Sequence, residues 1–596
     1  MNQEEPTTWQ IIEGRFPKIK IYLFLIAFSL IAYANILPNG FLWDDEVQIT
    51  GNQLIQTPGH LWEIITSDTG NSGVSGPSMG FYRPLMNFSY WLSYQFFGLN
   101  AWGYHLLQIF FHIGSVILVF WVVGEILKRA GTQYFEKAAF LTAAVFAVHP
   151  GISEAVQYLG AVGEPLFVFF ALLSIHKFLQ GIDYERRKIA TRNIVWSSLF
   201  GFLAFCAKES AAGIFIIGFL FLFLFAHPKR KYYFRYFFGA ATAAFCYAIL
   251  RFWISGIKYS SNHPVPIAKA SLLERLLTIP KELVTYLKIF FYPATLRIYQ
   301  NFVVRTADFS NFWLPFLIVI FIIFIAAIFL RKQSTPIKKM MLIFGAWYLI
   351  FLAPALNVVP LNMTLAERWQ YFPSIGLLAI IFLAIFSKLE KNKRLSNMAA
   401  IAILAIIVPI LAARTVVRDG NWRNGLALYG HDIRYTNGDN ANLENNYGVE
   451  LFRIGKQDEA KDHFTRSVEL MDDWSVSQNN LGAVYEKEGN PEKAYEYYKR
   501  AVGLSDYYLA YQNMAGILMQ LKRDDEARGF LESQALKKFP ANPDFYFQLA
   551  VLNYKEGKKP DARKLLETSL YLNPQNQNAQ QLYAAMKSGQ EINFDK

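Results

Sequence analysis

The chain has 596 residues, 53% of them hydrophobic, and a formal net charge of +12. A mean hydropathy of +0.19 is too apolar for an ordinary soluble protein, and the apolar residues fall in long blocks between Ile21 and Arg414, separated by short charged stretches. The basic excess lies in those stretches rather than in one patch, which excludes nucleic acid as the partner it serves; the two cysteines, Cys206 and Cys246, both in apolar blocks, imply no disulfide framework.

The first apolar block, residues 20–37, has no small-residue cleavage site after it. It reads as a retained span behind a cytoplasmic N-terminus of residues 1–19. A spanning helix needs roughly 20 apolar residues. On that measure about eleven blocks are candidates: 20–37, 104–127, 138–150, 159–179, 193–207, 211–227, 235–255, 311–330, 340–356, 372–388 and 397–414. With the N-terminus inside, the clusters Lys128-Arg129, Arg186-Arg187-Lys188, Lys229-Arg230-Lys231, Arg331-Lys332 with Lys338-Lys339, and Lys391 with Lys393-Arg394 all face the cytoplasm, as the positive-inside rule requires. The other side receives the loop from Leu37 to Gly103, the loop from Ser255 to Asn311 and the polar C-terminal part. Two blocks are short or broken: the one ending Val148-His149-Pro150, and the pair that turns at Lys208-Glu209. Charged or irregular backbone at membrane depth is tolerated only against protein or a wet cavity. These ends therefore predict a cavity facing the non-cytoplasmic side.

Polar residues collect on that same side. In "WDDE", Asp44, Asp45 and Glu46 follow Trp43 just after the first span. Acids there can be a solvated helix end, but a carboxylate can also activate a hydroxyl as general base, and a pair can hold a divalent cation. In "FYRPLMNFSYWLSYQFFGLNAWGYH", Pro84 starts an amphipathic helix suited to the membrane interface. Arg83, the only Lys or Arg of its loop, is either a snorkelling anchor or a partner for phosphate or carboxylate. "AVHPGISEAVQYLGAVGE" brings His149, Glu154 and Glu164 to the end of the short block, with His149 a helix cap or a site residue. Lys208 and Glu209 in "CAKES" read first as a structural ion pair. Glu367 and Arg368 in "AERWQYFPS" lie at the outer end of a late span. An Arg there needs an anion, which an internal Glu or a lipid phosphate can supply.

From Asn442 a pattern recurs: Gly448, Gly482, Ala515 and Ala550 align, as do Ala460, Ala494, Ala527 and Ala562, at spacings of 34, 33 and 35 residues. Small residues at a fixed period mark close helix crossings in a stack of helix pairs, the pattern of the tetratricopeptide repeat. Such solenoids offer a concave groove for extended peptide; a spacer or oligomerisation arm is the plainer reading. The fold class is all-α. A polytopic membrane domain spans residues 20–415, a linker 416–440, and about four repeats on the non-cytoplasmic side 441–590.

Taken together and in order, "WDDE", "FYRPL", "AVHPGISEAV", "AKES", "AERWQYFPS" and the trailing repeats resemble the TMTC-type transmembrane O-mannosyltransferases of the GT-C glycosyltransferase superfamily. The resemblance covers nearly the whole chain. It implies a sugar donor on a polyprenyl phosphate, dolichyl or undecaprenyl, and transfer with inversion to an acceptor hydroxyl, such as Ser or Thr of a protein. It implies a catalytic acid in the first outer loop, matching Asp44 and Asp45, and a donor phosphate held by Arg368, with Arg83 and Lys208 as further candidates. Glu46, His149, Glu154, Glu209 and Glu367 would support the site or the acceptor. No cofactor beyond the lipid-linked donor is implied, and a divalent metal, if used, would fall to Asp44 and Asp45. The short repeat array, few sequons (Asn87, Asn362) and scarce cysteines depart from the animal pattern and point to a bacterial or archaeal cytoplasmic membrane, or the ER membrane if the source is eukaryotic. The rival readings are an O-antigen ligase type of oligosaccharide transferase, a non-enzymatic scaffold displaying a repeat arm for envelope assembly, and a transporter.

Overall fold

The computed structural model describes residues 17–71, 80–129, 131, 134–183, 187–225, 230–257, 265–436 and 438–588. The segment 1–16 and the basic residues Arg186 and Lys229 lie outside these. Among the described residues there is no strand; a lone antiparallel bridge joins Gln300 and Leu365. The chain is all-α and divides into two compact units. One holds the described residues up to Leu42, Trp62–Asp68 and Gly80–Asn424. The other holds Trp43–Leu61, a stretch beginning at Thr69, and the chain from Gly425 onward.

The longer helices of the first unit are α1 (Pro17–Tyr33), α2 (Pro84–Phe97), α3 (Ala101–Lys128), α4 (Phe135–Val148), α5 (Gly163–Asp183), α6 (Arg187–Ala207), α7 (Ala212–Phe225), α8 (Arg230–Ala248), α9 (Leu272–Phe291), α10 (Leu314–Arg331), α11 (Thr335–Leu352), α12 (Pro373–Leu389) and α13, the stretch Lys393–Asn421. Among the described residues, eight helical stretches, those containing α1, α3, α5, α6, α8, α10, α11 and α13, are long and apolar enough to cross a membrane, and α7 and α12 are shorter apolar helices. The apolar window of α5 is 72% buried inside the protein and that of α10 only 6%. By composition α10 therefore offers its Phe321, Ile323 and Phe324 to lipid, while α5 packs centrally.

The short block read from the sequence is α4. Fourteen residues make a helix of about 21 Å, less than the roughly 30 Å of a hydrocarbon core. Every residue from Ala138 to Val148 is buried in protein, so the helix never has to span lipid alone. Beyond it the chain runs through short turns at Pro150–Ile152, Glu154–Gln157 and Leu159–Ala161, all but Gly160 buried or nearly so. Close helix contact is set elsewhere by Gly376 of α12: a Cβ there would stand 2.5 Å from the Phe344 carbonyl oxygen of α11.

In the second unit, α14 (Gly425–Ile433) precedes four helix pairs: α15 (Ala441–Arg453) with α16 (Gln457–Leu470), α17 (Ser475–Lys487) with α18 (Pro491–Leu504), α19 (Tyr508–Gln520) with the helical run from Asp524 to Lys538, and α20 (Pro543–Lys555) with α21 (Lys559–Leu572). A final helix, α22 (Gln577–Ser588), follows. The recurrent small residues do what their period implied. A Cβ on Gly448 would meet the Phe464 ring at 2.9 Å, and one on Gly482 the Tyr498 ring at 2.7 Å. Ala460, Ala494, Ala527 and Ala562 are fully buried. The turn inside each pair needs a left-handed residue, supplied by Gly455, Gly489 and Gly557 at φ 82°, 76° and 78°. The third pair puts Lys522 there, at φ 57°.

Candidate functional site

The turn after α4 and the turn before α12 are fixed from several sides. Gln108 of α3 donates to the carbonyls of Ala155 and Tyr158 at 2.9 and 2.7 Å. The Tyr90 hydroxyl of α2 donates to the Leu159 carbonyl at 2.9 Å, and the Trp347 indole of α11 to the Phe372 carbonyl at 3.0 Å. His112 Nδ1 and the Tyr371 hydroxyl share a 2.7 Å hydrogen bond. This scaffolding brings Glu154 and Arg368 together across 214 residues of sequence: the Arg368 backbone N–H donates to Glu154 Oε2 at 2.9 Å, and its guanidinium pairs with Oε1. Glu154 is fully buried, and the Arg368 side chain is 12% exposed. The guanidinium also lies 5.8 Å from the ring centres of Tyr158 and Trp369. Burial works against its charge, but the Glu154 carboxylate outweighs that and holds Arg368 above the ordinary arginine range.

The other cations predicted for the donor phosphate lie near by. Lys208 pairs with Glu164, not with its neighbour Glu209. Glu209 instead takes Arg83 at 3.4 Å and Arg251 at 3.0 Å. Lys208 is within electrostatic reach of both Arg83 and Arg368, and Arg368 of Glu164. Four cations thus alternate with three carboxylates, Glu154, Glu164 and Glu209, leaving one net positive charge when all are ionised. Arg251, which also donates to the Gly80 carbonyl at 3.1 Å, was not singled out from the sequence. A lone Arg inside the apolar run "YAILRFWI" was the available signal.

Two candidates are committed elsewhere. His149 caps the turn that follows it, its Nδ1 accepting from the Gly151 N–H at 3.1 Å, and its ring stacks on Phe290 at 4.5 Å. Glu367 accepts from the Arg297 N–H at 2.5 Å and faces the fully buried Arg418 at 3.6 Å. Arg418 was also missed: the sequence reading ended the last span at Arg414 and put residues 416–440 in a linker, whereas the helix runs on to Asn421.

Asp44, Asp45 and Glu46 belong to the second unit. Trp43 before them is left-handed at φ 56°, a conformation that costs a non-glycine about 1 kcal/mol or more and that clusters at functional sites. A π-helical turn then runs from Glu46 to Thr50. Asp45 is 1% exposed. Glu46 is gripped by Arg453 at the end of α15, at 2.5 and 2.7 Å from Nη1 and Nη2 to its two carboxylate oxygens. Arg453 also holds Glu450 at 2.8 Å, and its hydrogen bond to Glu46 lifts it further above the ordinary arginine range. Burial, with Tyr508 and Glu46 adding to it, pushes the Tyr507 hydroxyl up. Among the described residues no group of three or more His, Cys, Asp or Glu is gathered as a metal-ligand set.

The molecule is therefore an all-α membrane protein with several apolar spanning-length helices and a tetratricopeptide-repeat solenoid. Tetratricopeptide repeat family models match residues 476–507 and 533–586. The chain is 25% identical over 467 residues to the protein O-mannosyl-transferase F38B6.6 of Caenorhabditis elegans, covering 77% of this chain and 64% of that protein. It is 24% identical over 534 residues to the protein O-mannosyl-transferase Tmtc3 of Drosophila melanogaster, covering 76% and 55%. It thus spans between 55% and 64% of the length of these relatives. The TMTC-type resemblance read from the motifs is matched by these relatives. Among solved structures, ArnT from Cupriavidus metallidurans, bound to undecaprenyl phosphate, is 14% identical with a TM-score of 0.37, covering 81% of this chain and 80% of that one.

Proposed function

We propose that the protein is a membrane glycosyltransferase that moves a hexose from a polyprenyl-phosphate donor to an acceptor hydroxyl, a Ser or Thr of a polypeptide, on the non-cytoplasmic face. The observation that carries this reading is the convergence of Arg83, Lys208, Arg251 and Arg368 on three buried or half-buried carboxylates at the ends of apolar helices and the turns next to them. A net positive cluster at such turns suits a lipid phosphate. The names of the relatives support the same class of chemistry.

In this reading Arg368 holds the donor phosphate. Glu154 takes one edge of its guanidinium and fixes its orientation toward the phosphate. Asp44 or Asp45 accepts the proton of the acceptor hydroxyl as its oxygen attacks the anomeric carbon. The new C–O bond forms as the bond from that carbon to the phosphate oxygen breaks, in one displacement with inversion, and polyprenyl phosphate leaves. The fixed cations stabilise the charge that grows on the departing phosphate. The repeats recruit the acceptor polypeptide.

The test is direct. Purified protein in detergent is given short-chain polyprenyl-phosphate sugars and an unstructured Ser/Thr peptide, and both lipid-phosphate release and glycopeptide are followed by mass spectrometry. Equal amounts of the two products support the reading. A protein that binds the lipid phosphate yet forms no product with any hexose donor or acceptor counts against it and favours a scaffold.

A further inference from the structure

Three stretches of the first unit, far apart in sequence, meet beside Arg368: residues 154–158, 367–368 and 418–422. The Tyr158 ring stacks on the Trp422 indole, with ring centres 5.5 Å apart and planes 24° from parallel. Trp422 and Arg418 are fully buried and Tyr158 nearly so. Each aromatic side chain also faces a guanidinium. Arg368 lies 5.8 Å from the Tyr158 ring centre, and Arg418 lies 5.7 Å from that of Trp422. Each guanidinium in turn has a carboxylate, Glu154 for Arg368 and Glu367 for Arg418. Glu367 is the chain neighbour of Arg368. The contacts therefore close a circuit: Arg368, Tyr158, Trp422, Arg418, Glu367 and, through one peptide bond, Arg368 again.

The circuit is pinned from outside as well. The Gln157 amide donates to Asp419 Oδ1, and Asn39 Nδ2 donates to the Asp419 carbonyl at 3.3 Å. That carbonyl also accepts from the Trp422 N–H at 3.0 Å. The Thr415 hydroxyl donates to the Val148 carbonyl at 2.7 Å, which ties α13 to the end of α4. These bonds fix where both aromatic side chains stand. Stability is a poor account of two buried ion pairs side by side, because apolar residues of the same shape often serve as well or better. What such pairs supply is direction. A carboxylate fixes the edge of a guanidinium, and an aromatic face within about 6 Å orients its plane.

We propose that Trp422 and Arg418 are positioning residues for the Arg368 guanidinium. Neither touches the donor. Trp422 backs the Tyr158 ring, and that ring sets the tilt of the guanidinium plane. Arg418 backs Glu367, whose carboxylate also accepts from the Arg297 N–H, and so fixes the chain immediately before Arg368. Glu154 by itself defines the line of its ion pair but leaves rotation about that line open. The circuit removes this rotation. A phosphate is recognised by a guanidinium in a set plane, so tilting that plane weakens binding even though no charge is lost. That the guanidinium meets a phosphate rests on the transferase reading; the circuit of contacts does not.

The test uses the full-length protein in detergent and a short-chain polyprenyl phosphate. Isothermal titration reads affinity, and the thermal midpoint reads folding. Trp422→Leu fills space but offers no ring face, and is expected to weaken binding about three- to tenfold, the fold-change that an aromatic pair is worth. Trp422→Phe keeps a face and is expected to stay within about twofold of wild type. In an Arg368→Lys background, Trp422→Leu is expected to change affinity by less than about twofold, because effects that pass through one group do not add. A purely structural role would cost the same in both backgrounds. The paired change Arg418→Met with Glu367→Gln keeps the test sound if Trp422→Leu folds poorly, since it leaves neither charge alone. Its midpoint is expected to hold while lipid-phosphate affinity falls. The proposal is overturned if Trp422→Leu and the paired variant bind as wild type does, if phenylalanine fails to restore the loss, or if the loss is as large in the Arg368→Lys background. A wild type that binds no polyprenyl phosphate would remove the phosphate reading of Arg368 and this role with it, whereas wild-type binding that ignores every variant removes the positioning role alone.

Discussion

Arg453, at the end of the first repeat's leading helix, holds both carboxylate oxygens of Glu46, 407 residues earlier in the chain. The bidentate geometry fixes direction as well as distance. Asp44 and Asp45 stand two and one residues from that anchor, behind the left-handed Trp43. The repeat array therefore holds the acid loop in place.

Both side chains of the pair are partly exposed, 47% and 40%, so the pair contributes only about 0–1 kcal/mol to stability. Arg453→Ala should leave the thermal midpoint within a degree or two while lowering sugar transfer about tenfold through loss of positioning. Arg453→Lys, which keeps the charge but not the fork, should recover only part of that rate. A variant with full turnover, or one whose loss follows unfolding, would show the pair to be incidental.

Arg368 and Glu154 make a different prediction, because their pair is buried. Glu154→Ala leaves a desolvated guanidinium without its partner and should cost about 3–5 kcal/mol, seen as a large drop in thermal midpoint. Arg368→Lys should fold, keep its charge and still lose donor affinity, since an ammonium cannot serve Glu154 and a phosphate from one plane. Isothermal titration with polyprenyl phosphate checks this; unchanged affinity in the lysine variant would take Arg368 out of the phosphate site.

Glu282 gives a pH signature. It lies on α9, which is not among the helices apolar enough to cross a membrane, and is fully buried. Burial pushes its carboxyl up to about 8, although the Asn357 amide donates to it at 2.8 Å and pulls the other way. An acid whose folded pKa lies above its unfolded value, ~4.3, binds its proton more tightly when folded, so its contribution is complete below about pH 4 and is lost as pH rises towards 8. Glu282→Gln keeps the acceptor and removes the titration. The gap in melting temperature between variant and wild type should therefore widen in the variant's favour from pH 5 to pH 8 and then level off. A gap independent of pH would contradict this.

Lys522 occupies the left-handed turn position that is glycine in the other three repeats, at φ 57°. Lys522→Gly should stabilise the repeat unit by about 1 kcal/mol, by relieving the contact between Cβ and the backbone. Denaturant or thermal unfolding of the full chain reads it; no gain, or a loss, would mean that the lysine side chain offsets the strain.

Much of this was legible because it is periodic or compositional. The repeat phase of Gly448, Gly482, Ala515 and Ala550 implied the helix pairs, and the block before His149 was legibly too short to cross lipid without protein or a wet cavity around it; α4 is enclosed by protein. What was not legible was pairing at a distance. Lys208 sits beside Glu209 in sequence yet reaches Glu164, because the extended backbone at Lys208 (φ −161°, ψ 138°) separates adjacent side chains. The partners of Arg368 and Glu46 are 214 and 407 residues away, distances over which one sequence carries no pairing signal. His149 showed how a titratable residue before proline can be fully used in capping and stacking.

The most direct measurement compares wild type with Asp44→Asn and Asp45→Asn in the transfer assay, at equal expression and equal melting temperature, following lipid-phosphate release from a polyprenyl-phosphate sugar. Asparagine keeps the shape and hydrogen-bonding oxygen of aspartate but cannot take a proton. The expected result is that one of the two variants loses turnover by about a hundredfold or more while still binding donor lipid and peptide, which would identify it as the base. Equal turnover in all three proteins would contradict the assignment and move the chemistry away from the loop that Arg453 holds.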